Sequence, residues 1–555
     1  MLRCASLSLL TLAACMSSDG PTEASPPPEL RAPRLLTPPP NAYVGSVQVA
    51  GSLRPTFRWA AREGAKPATS YALQVSTDPK FERSLITIST SETSARLDNA
   101  LPVARQVPVG ARYYWRVRAC DDITCSDYSS PRTLNLGRSD HDFNGDGIAD
   151  VVVGAPTYAS ALVARVHVYF GATSATFDGV PDGTLVAPVP KDNFGTTVAS
   201  AGDVNGDGFA DVIVGAPEAA GGTGAAYLYL GGAGPSFEPT PDLVLEGQSA
   251  GARFGASVAG AGDLDGDGFA DFVIGAPGSD GGLGAAFVYY GSTGMTRNTQ
   301  ALRHPGMSLD RFLGVAVAPL GDLDGDGYDD LAVSVNSSNK TVAYLYFGDP
   351  AKPLDQSLKL AGDSVGVIAG GADVNGDGFA DILLGGAGPS TGGHATLVLG
   401  GIRSSLGTDR RTYGELDPGF GATVALPGDV DGDGFADVLI GAGEHDQGAT
   451  GGVYLYFGGP NATFSTIAAS TLISRAHRAS EWLVGSPGDV NGDGLADLVI
   501  GGVNRDPVGY AGTAYLYAGG QRNAFDAPPL ATLTAPLGSD GEFGRSVSLN
   551  NPDRL

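Results

Sequence analysis

Asp203-Val204-Asn205-Gly206-Asp207-Gly208-Phe209-Ala210-Asp211 is one of seven copies of a single phrase, Asp-x-(Asp/Asn)-Gly-Asp-Gly-x-x-Asp. The copies begin at Asp142, Asp203, Asp263, Asp322, Asp373, Asp429 and Asp489, and successive gaps are 61, 60, 59, 51, 56 and 60 residues. A period of that size belongs to stacked or radial repeats. The phrase also has a chemistry of its own. Calcium takes about six to eight oxygen ligands at about 2.3 to 2.6 Å, so a short segment must fold several oxygens onto one point.

Positions 1, 3, 5 and 9 of each copy supply side-chain oxygens, and the glycine at position 6 permits the sharp turn that aims the position 7 carbonyl inward. The candidate metal ligands are therefore Asp142, Asn144, Asp146, Ile148 and Asp150 in the first loop, and Asp203, Asn205, Asp207, Phe209 and Asp211 in the second. They are Asp263, Asp265, Asp267, Phe269 and Asp271 in the third, and Asp322, Asp324, Asp326, Tyr328 and Asp330 in the fourth. Asp373, Asn375, Asp377, Phe379 and Asp381 form the fifth set, Asp429, Asp431, Asp433, Phe435 and Asp437 the sixth, and Asp489, Asn491, Asp493, Leu495 and Asp497 the seventh. The order matches the start of an EF-hand loop, but position 12 after Asp203 is Val214, inside a β-branched run, where an EF-hand requires glutamate. Magnesium is the weaker alternative, because a flexible all-protein cage suits the larger ion. Up to seven calcium ions are expected, with a stabilising rather than a chemical role.

Each loop has the same surroundings. A strand of small residues precedes it, usually opened by Phe-Gly as in Phe194-Gly195, Phe254-Gly255 and Phe420-Gly421. An apolar strand such as Val212-Ile213-Val214 follows and runs into Gly215-Ala216-Pro217. An aromatic strand, Ala226 to Leu230, and a short fourth strand, Leu243 to Leu245, complete the unit. Four short strands per repeat predict the blade of a propeller, which protects its sheet edges by radial repetition. The first loop lacks a preceding Phe-Gly strand, while the chain ends on an orphan copy, Glu542 to Leu549, with no loop after it. Pairing the two would shut a ring of seven blades.

These residues resemble the FG-GAP repeat family, the seven-bladed propeller at the N-terminal end of integrin α chains, over about Ser139 to Leu555. The Gly-Ala-Pro signature stands intact at Gly154, Gly215 and Gly275 and drifts later, to Ser334-Val335-Asn336 for example. The Phe-Gly drifts to Val365-Gly366 and to the region of Trp482-Leu483. The resemblance implies an extracellular protein or glycan ligand, bound by variable loops on the face opposite the acidic ones. Candidate segments are Gly221 to Gly224, Asp280 to Leu283, Asn336 to Lys340, Glu444 to Thr450 and Arg505 to Tyr510.

Upstream, Tyr71, Leu73 and Val75 alternate with polar neighbours, as do Tyr113, Trp115, Val117 and Ala119, the period of half-buried strands. Residues 35–137 resemble a fibronectin type III sandwich. Cys120 and Cys125 flank a four-residue tip and read as a disulfide in an oxidising compartment; a metal pair lacks nearby Cys or His partners. Residues 15–34 form a Pro-rich tether with too little side chain to fold. Residues 1–14 pair Arg3 with a short apolar run, and Leu12-Ala13-Ala14-Cys15 resembles a bacterial lipobox. That resemblance implies cleavage before Cys15, lipidation of its sulfur and an envelope address, with Met16 pointing to the outer membrane. An ordinary secretory signal is the alternative, and contact with the membrane is expected through the lipid anchor only.

The fold class expected is thus all-β: a sandwich, then a seven-bladed propeller over 138–555. The whole chain is 555 residues, 42% hydrophobic, with net charge −26, which excludes a nucleic-acid backbone as partner. Most of that charge is ligand inventory. Loss of Arg3 with the signal leaves −27, and the 24 aspartates at loop positions 1, 3, 5 and 9 carry all but −3 of it. The six histidines, His141, His167, His304, His394, His445 and His477, share no spacing, and no His-Glu-x-x-His, Gly-x-Ser-x-Gly or phosphate-loop pattern occurs. A non-enzymatic binding or adhesion module is the preferred function. A carbohydrate-active or other hydrolytic propeller and a structural part of an envelope assembly are the alternatives.

Overall fold

Among its described residues the computed structural model is all-β apart from two four-residue helical turns, Ala219–Gly222 and Ser279–Gly282. It describes residues 29–547 except 39–41, 47–51, 63–64, 138–139, 158–162, 174–176, 187–191, 304–309, 338–339, 351–353, 362–365, 387–392, 415–418, 443–451, 461–464, 467, 474–480, 507–508, 521–527 and 535–541. Cys15, the signal, most of the tether and the Glu444 to Thr450 segment lie outside the described residues.

Two sheets come first. Arg34–Thr37, Thr56–Ala60 and Ser94–Arg96 form one, and Ala42–Ser46, Arg132–Gly137, Ala111–Cys120, Ser70–Ser76 and Ser84–Thr90, in that spatial order, form the other. The period-2 residues of Ala111–Cys120 turn inward, with Tyr113, Trp115, Val117 and Ala119 all buried. They meet Phe57 and Trp59 of the smaller sheet; the rings of Phe57 and Trp115 lie 5.0 Å apart. Burying aromatic side chains of this size supplies about 2 to 3 kcal/mol each, which lets so small a unit hold a core of its own. Cys120 and Cys125 are joined, S–S 2.03 Å, across the exposed tip carrying Ile123.

Seven further sheets follow, each antiparallel and built on one acidic loop. The second is typical: Thr197–Gly202, Asp211–Ala216, Ala225–Tyr229 and Leu243–Glu246, with Val198 opposite Val214, Val214 opposite Tyr227 and Tyr227 opposite Val244. From the second sheet to the seventh the register slips just before the loop, as between Ser200 and Gly202, so the strand bends into the loop. Phe194-Gly195 forms a turn before its strand rather than the strand's first pair, with Gly195 at φ +81°. In the fourth sheet two pieces, Asp310–Arg311 and Val317–Gly321, pair with the same strand, Asp330–Ser337.

Hydrophobic cores lie between neighbouring sheets. Val214 and Tyr229 of the second join Val152 and Val168 of the first, and Phe272 and Ile274 of the third join Ile213 and Leu228 of the second. The last sheet packs against the first in the same way: Val499 and Leu516 meet Val151, Val153 and Tyr169. Ser546–Val547, from the chain end, pairs with Val151–Ala155, Ser546 opposite Gly154 and Val547 opposite Val153. The glycine of Gly-Ala-Pro and that of the next Phe-Gly meet across these contacts. A Cβ on Gly215 would stand 2.1 Å from the Gly255 carbonyl oxygen, so any side chain there would push two sheets apart.

Candidate metal sites

All seven loops share one hydrogen-bond wiring. Oδ2 of the position 1 aspartate accepts the N–H of the position 6 glycine at 2.8 to 3.1 Å, as Asp203 does from Gly208. Oδ1 of the position 5 aspartate accepts the position 7 N–H at 2.8 to 3.1 Å, as Asp207 does from Phe209. These bonds fold the loop tightly and by themselves take one lone pair from each position 1 and position 5 carboxylate; at Asp373 the Gly376 and Asp377 amides and Arg132 take the others. Where position 3 is aspartate, the oxygens of positions 1, 3 and 9 converge within 4.8 Å: Asp263, Asp265 and Asp271; Asp322, Asp324 and Asp330; Asp429, Asp431 and Asp437. In three of the four asparagine loops the position 3 amide donates to the position 5 carboxylate, as Asn205 does to Asp207 at 2.8 Å; Asn491 donates instead to Asp497 at 3.3 Å.

Position 9 does more than the spacing indicates. Each of these aspartates is fully buried and accepts a backbone N–H on each oxygen at 2.6 to 3.0 Å, Asp497 taking a further one from Asn491 at 3.2 Å. Asp211 takes Val204 with Oδ2 and Gly231 with Oδ1, tying the start of its loop to the end of the third strand. Gly231, like Gly171, Gly291, Gly348, Gly400, Gly458 and Gly519, donates one of these N–H groups, a role that the phrase alone does not reveal. A Cβ on Gly231 would lie 2.1 Å from the Ala210 carbonyl oxygen. The signal was present as a glycine closing each aromatic strand.

The loops also join one another. The position 8 N–H of each donates to the position 1 carbonyl of the loop before it, as Ala210 does to Asp142 at 2.9 Å, and Ala149 of the first loop donates to Asp489 of the seventh at 3.0 Å. Position 7 side chains cover the position 4 glycine of the preceding loop; Phe269 lies over Gly206 and Tyr328 over Gly266. The sequence assigns position 7 a carbonyl role, and the structure adds this packing one.

Burial of so many carboxylates is electrostatically costly. It pushes Asp203 up to about 7, with Asp207 adding to the effect, and Asp322 up to about 7, with Asp326 adding. Asp142 and Asp429 rise to about 6 for the same first reason. Asp150, Asp211, Asp271, Asp330, Asp381 and Asp437 are pushed well above the usual range, again by burial first. Such groups call for positive charge, which a divalent ion supplies. Oδ1 of Asp203 is buried with no hydrogen-bond partner, so the donor set fits an ion. In the fourth loop an arginine already answers that need: Arg403 contacts Asp324 and lies 2.7 Å from Asp326, with its guanidinium 4.4 Å from the centre of the Phe347 ring.

Four of the candidate ligand-contact segments include described residues, and these sit at the other end of the sheets, between the second and third strands. Gly221 to Gly224 and Asp280 to Leu283 fall on the two helical turns, where Arg303 pairs with Asp280. Asn336 to Lys340 and Arg505 to Tyr510 span strand ends around undescribed residues.

Residues 139–169, 194–229, 254–289 and 313–346 match the FG-GAP repeat, and residues 429–500 match the FG-GAP-like repeat. The chain is 38% identical to integrin alpha-5 of Xenopus laevis over 181 residues, 30% of this chain and 17% of that protein. It is 34% identical to human integrin alpha-IIb over 224 residues, 37% of this chain and 20% of that one. Integrin alpha-PS2 of Drosophila melanogaster is 30% identical over 241 residues, 40% and 16% of the two chains. The matched regions thus span about a fifth or less of these relatives. The Dos1 propeller structure aligns over 78% of this chain and 92% of its own at 11% identity and a TM-score of 0.37, which is too distant to carry an argument. Over these segments the chain is similar to FG-GAP repeats and to integrin alpha subunits.

Proposed function

We propose that the chain is a calcium-stabilised, seven-bladed FG-GAP propeller that serves as a binding or adhesion module for an extracellular protein or glycan. The observation that carries this reading is the shared wiring of seven acidic loops, rich in buried carboxylates, in a chain whose repeats match those of integrin alpha subunits. Ring closure by the terminal strand is supported by the pairing of Ser546–Val547 with the first sheet and by the bond from Ala149 to Asp489. Calcium, when bound, cross-links the loop oxygens and offsets their mutual repulsion; the candidate ligands in all seven loops would hold it. The propeller occupies 138–555 and follows a fibronectin type III-like sandwich over 35–137.

In the same reading residues 1–14 are a lipoprotein signal and Cys15 carries the lipid, which places the module on the cell envelope, at the outer membrane, through a tether over 15–34. Ligand contacts come from the loops at the end opposite the metal sites. A glycan array and a polysaccharide turnover assay, each run with and without calcium, test the function. Calcium-dependent binding without turnover supports it, and release of product overturns it in favour of a hydrolytic propeller. Loss of metabolic fatty-acid labelling in Cys15→Ser tests the anchor.

A further inference from the structure

The N-terminal two-sheet unit does not hang free of the propeller repeats. It lies across their metal-loop end and, among the described residues, touches four of the seven loops. Val109 N–H donates to the Gly206 carbonyl of the second loop at 2.9 Å. Arg112 donates to the Gly327 carbonyl of the fourth at 2.6 Å and to Asp329 at 3.1 Å, while its Nε, 3.2 Å from Asn135, holds it in place. Arg132 reaches Asp373 of the fifth loop at 3.2 Å, with both side chains only 1 to 3% exposed, and is steadied by the Leu36 carbonyl at 2.9 Å. Arg34 lies over the Phe435 ring of the sixth loop at 3.9 Å and donates to the Asp433 carbonyl at 3.3 Å.

These contacts read the shape of the loops. Three of the four go to main-chain carbonyls at positions 4, 5 and 6, which face the cap only while the loop keeps its turn. The fourth shares Oδ2 of Asp373 with the Gly378 N–H and leaves Oδ1 to the loop's own amides at Gly376 and Asp377. An ion holds a loop in that turn; without it, three or four carboxylates at close quarters repel one another. A carbonyl that moves by an ångström loses its hydrogen bond.

We propose that the N-terminal unit is a built-in cap on the metal-loop end, seated by Val109, Arg34 and Arg112 on carbonyls of the second, sixth and fourth loops in their ion-holding shape, so that cation loading of those loops and docking form one linked equilibrium, while at the fifth loop the charge of Arg132 stands in for an ion's. The proposal rests on the calcium reading above. Linkage is reciprocal: calcium favours docking by the same factor as docking favours calcium. It also assigns the two ends of the repeats: the metal-loop end is occupied from within the chain, and the opposite end is left for an external ligand.

Small-angle scattering of the full mature chain, alongside calorimetric calcium titration and circular dichroism, tests this. With calcium the wild type is expected to be compact. Excess chelator, or Arg34→Glu with Arg112→Glu in calcium, is expected to raise the radius of gyration while the β spectrum persists. The charge-reversed variant is also expected to bind calcium several-fold more weakly, even though its added negative charge alone would favour the ion. No calcium heat in the wild type sinks the metal reading itself. Calcium heat with unchanged scattering in both chelator and variant overturns the cap. An open variant with unchanged calcium affinity overturns the linkage, and that comparison, made entirely in calcium, decides the matter even if chelation unfolds the sheets.

Discussion

Gly231 and Asp211 show how one residue can fix a repeat. The aspartate carries two buried backbone N–H groups, and the glycine brings one of them within reach. Asp211→Ala leaves both donors unsatisfied, at about 1 to 3 kcal/mol each, and Gly231→Ala forces a Cβ against a carbonyl, at about 1 to 3 kcal/mol. Urea unfolding midpoints are expected to fall in both, and to fall in Asp211→Ala even in excess chelator, because this role does not depend on the ion. His167 provides a second test. It is 1% exposed, hydrogen-bonds Thr184 at 3.1 Å and packs 5.7 Å from the Phe543 ring. Burial first, then Arg165, lowers it from 6.5 to about 4. A lowered value means that its contribution is complete above 6.5 and is lost as pH falls towards 4, a change of about 3 kcal/mol. Denaturation midpoints at pH 7 and pH 4 should therefore differ less in His167→Leu than in the wild type.

The loop is the unit at the next scale, and its seven copies are not equivalent. Asp265, Asp324 and Asp431 bring a third carboxylate to the convergent cluster, where the other four loops have asparagine. Extra ligand charge raises calcium affinity, so Asp265→Asn is expected to weaken its loop towards the asparagine class. The fourth loop has Arg403 on two of its candidate ligands, and an entering ion must displace it. Arg403→Ala should tighten that loop, by no more than about fivefold because half-exposed ion pairs are worth at most about 1 kcal/mol. Calcium titration of the two variants beside the wild type measures both effects, and a weaker fourth loop in Arg403→Ala would show that the arginine orders the site rather than competes for it.

For the whole molecule, stability and ion loading are expected to rise together. One site at ten times its Kd contributes about 1.4 kcal/mol, so seven independent sites give about 10 kcal/mol, comparable to the stability of an entire domain. Thermal melting should drop markedly in excess chelator; an unchanged melt sinks the calcium reading. Removal of the chain from Glu542 onward takes away buried Phe543 and Val547 and bares the strand Val151–Ala155. A long exposed edge invites pairing between chains, so the truncated protein is expected to associate, as light scattering coupled to gel filtration would show.

The repeat was legible in the chain because its chemistry is local. Nine consecutive residues fix a turn and a set of oxygens, and strands such as Val212-Ile213-Val214 carry their burial in their composition. The all-β class and the seven loops follow from that spacing, and the FG-GAP likeness from the motifs that recur with it. Contacts between residues distant in sequence were not legible. Nothing near Asp211 announces Gly231, nothing in Arg132 announces Asp373 across 241 positions, and nothing in Ala149 announces Asp489. A sequence pattern encodes what a residue does to its neighbours along the chain. The seating of the N-terminal unit on the acidic loops depends on which surfaces packing brings together, and only the tertiary structure decides that.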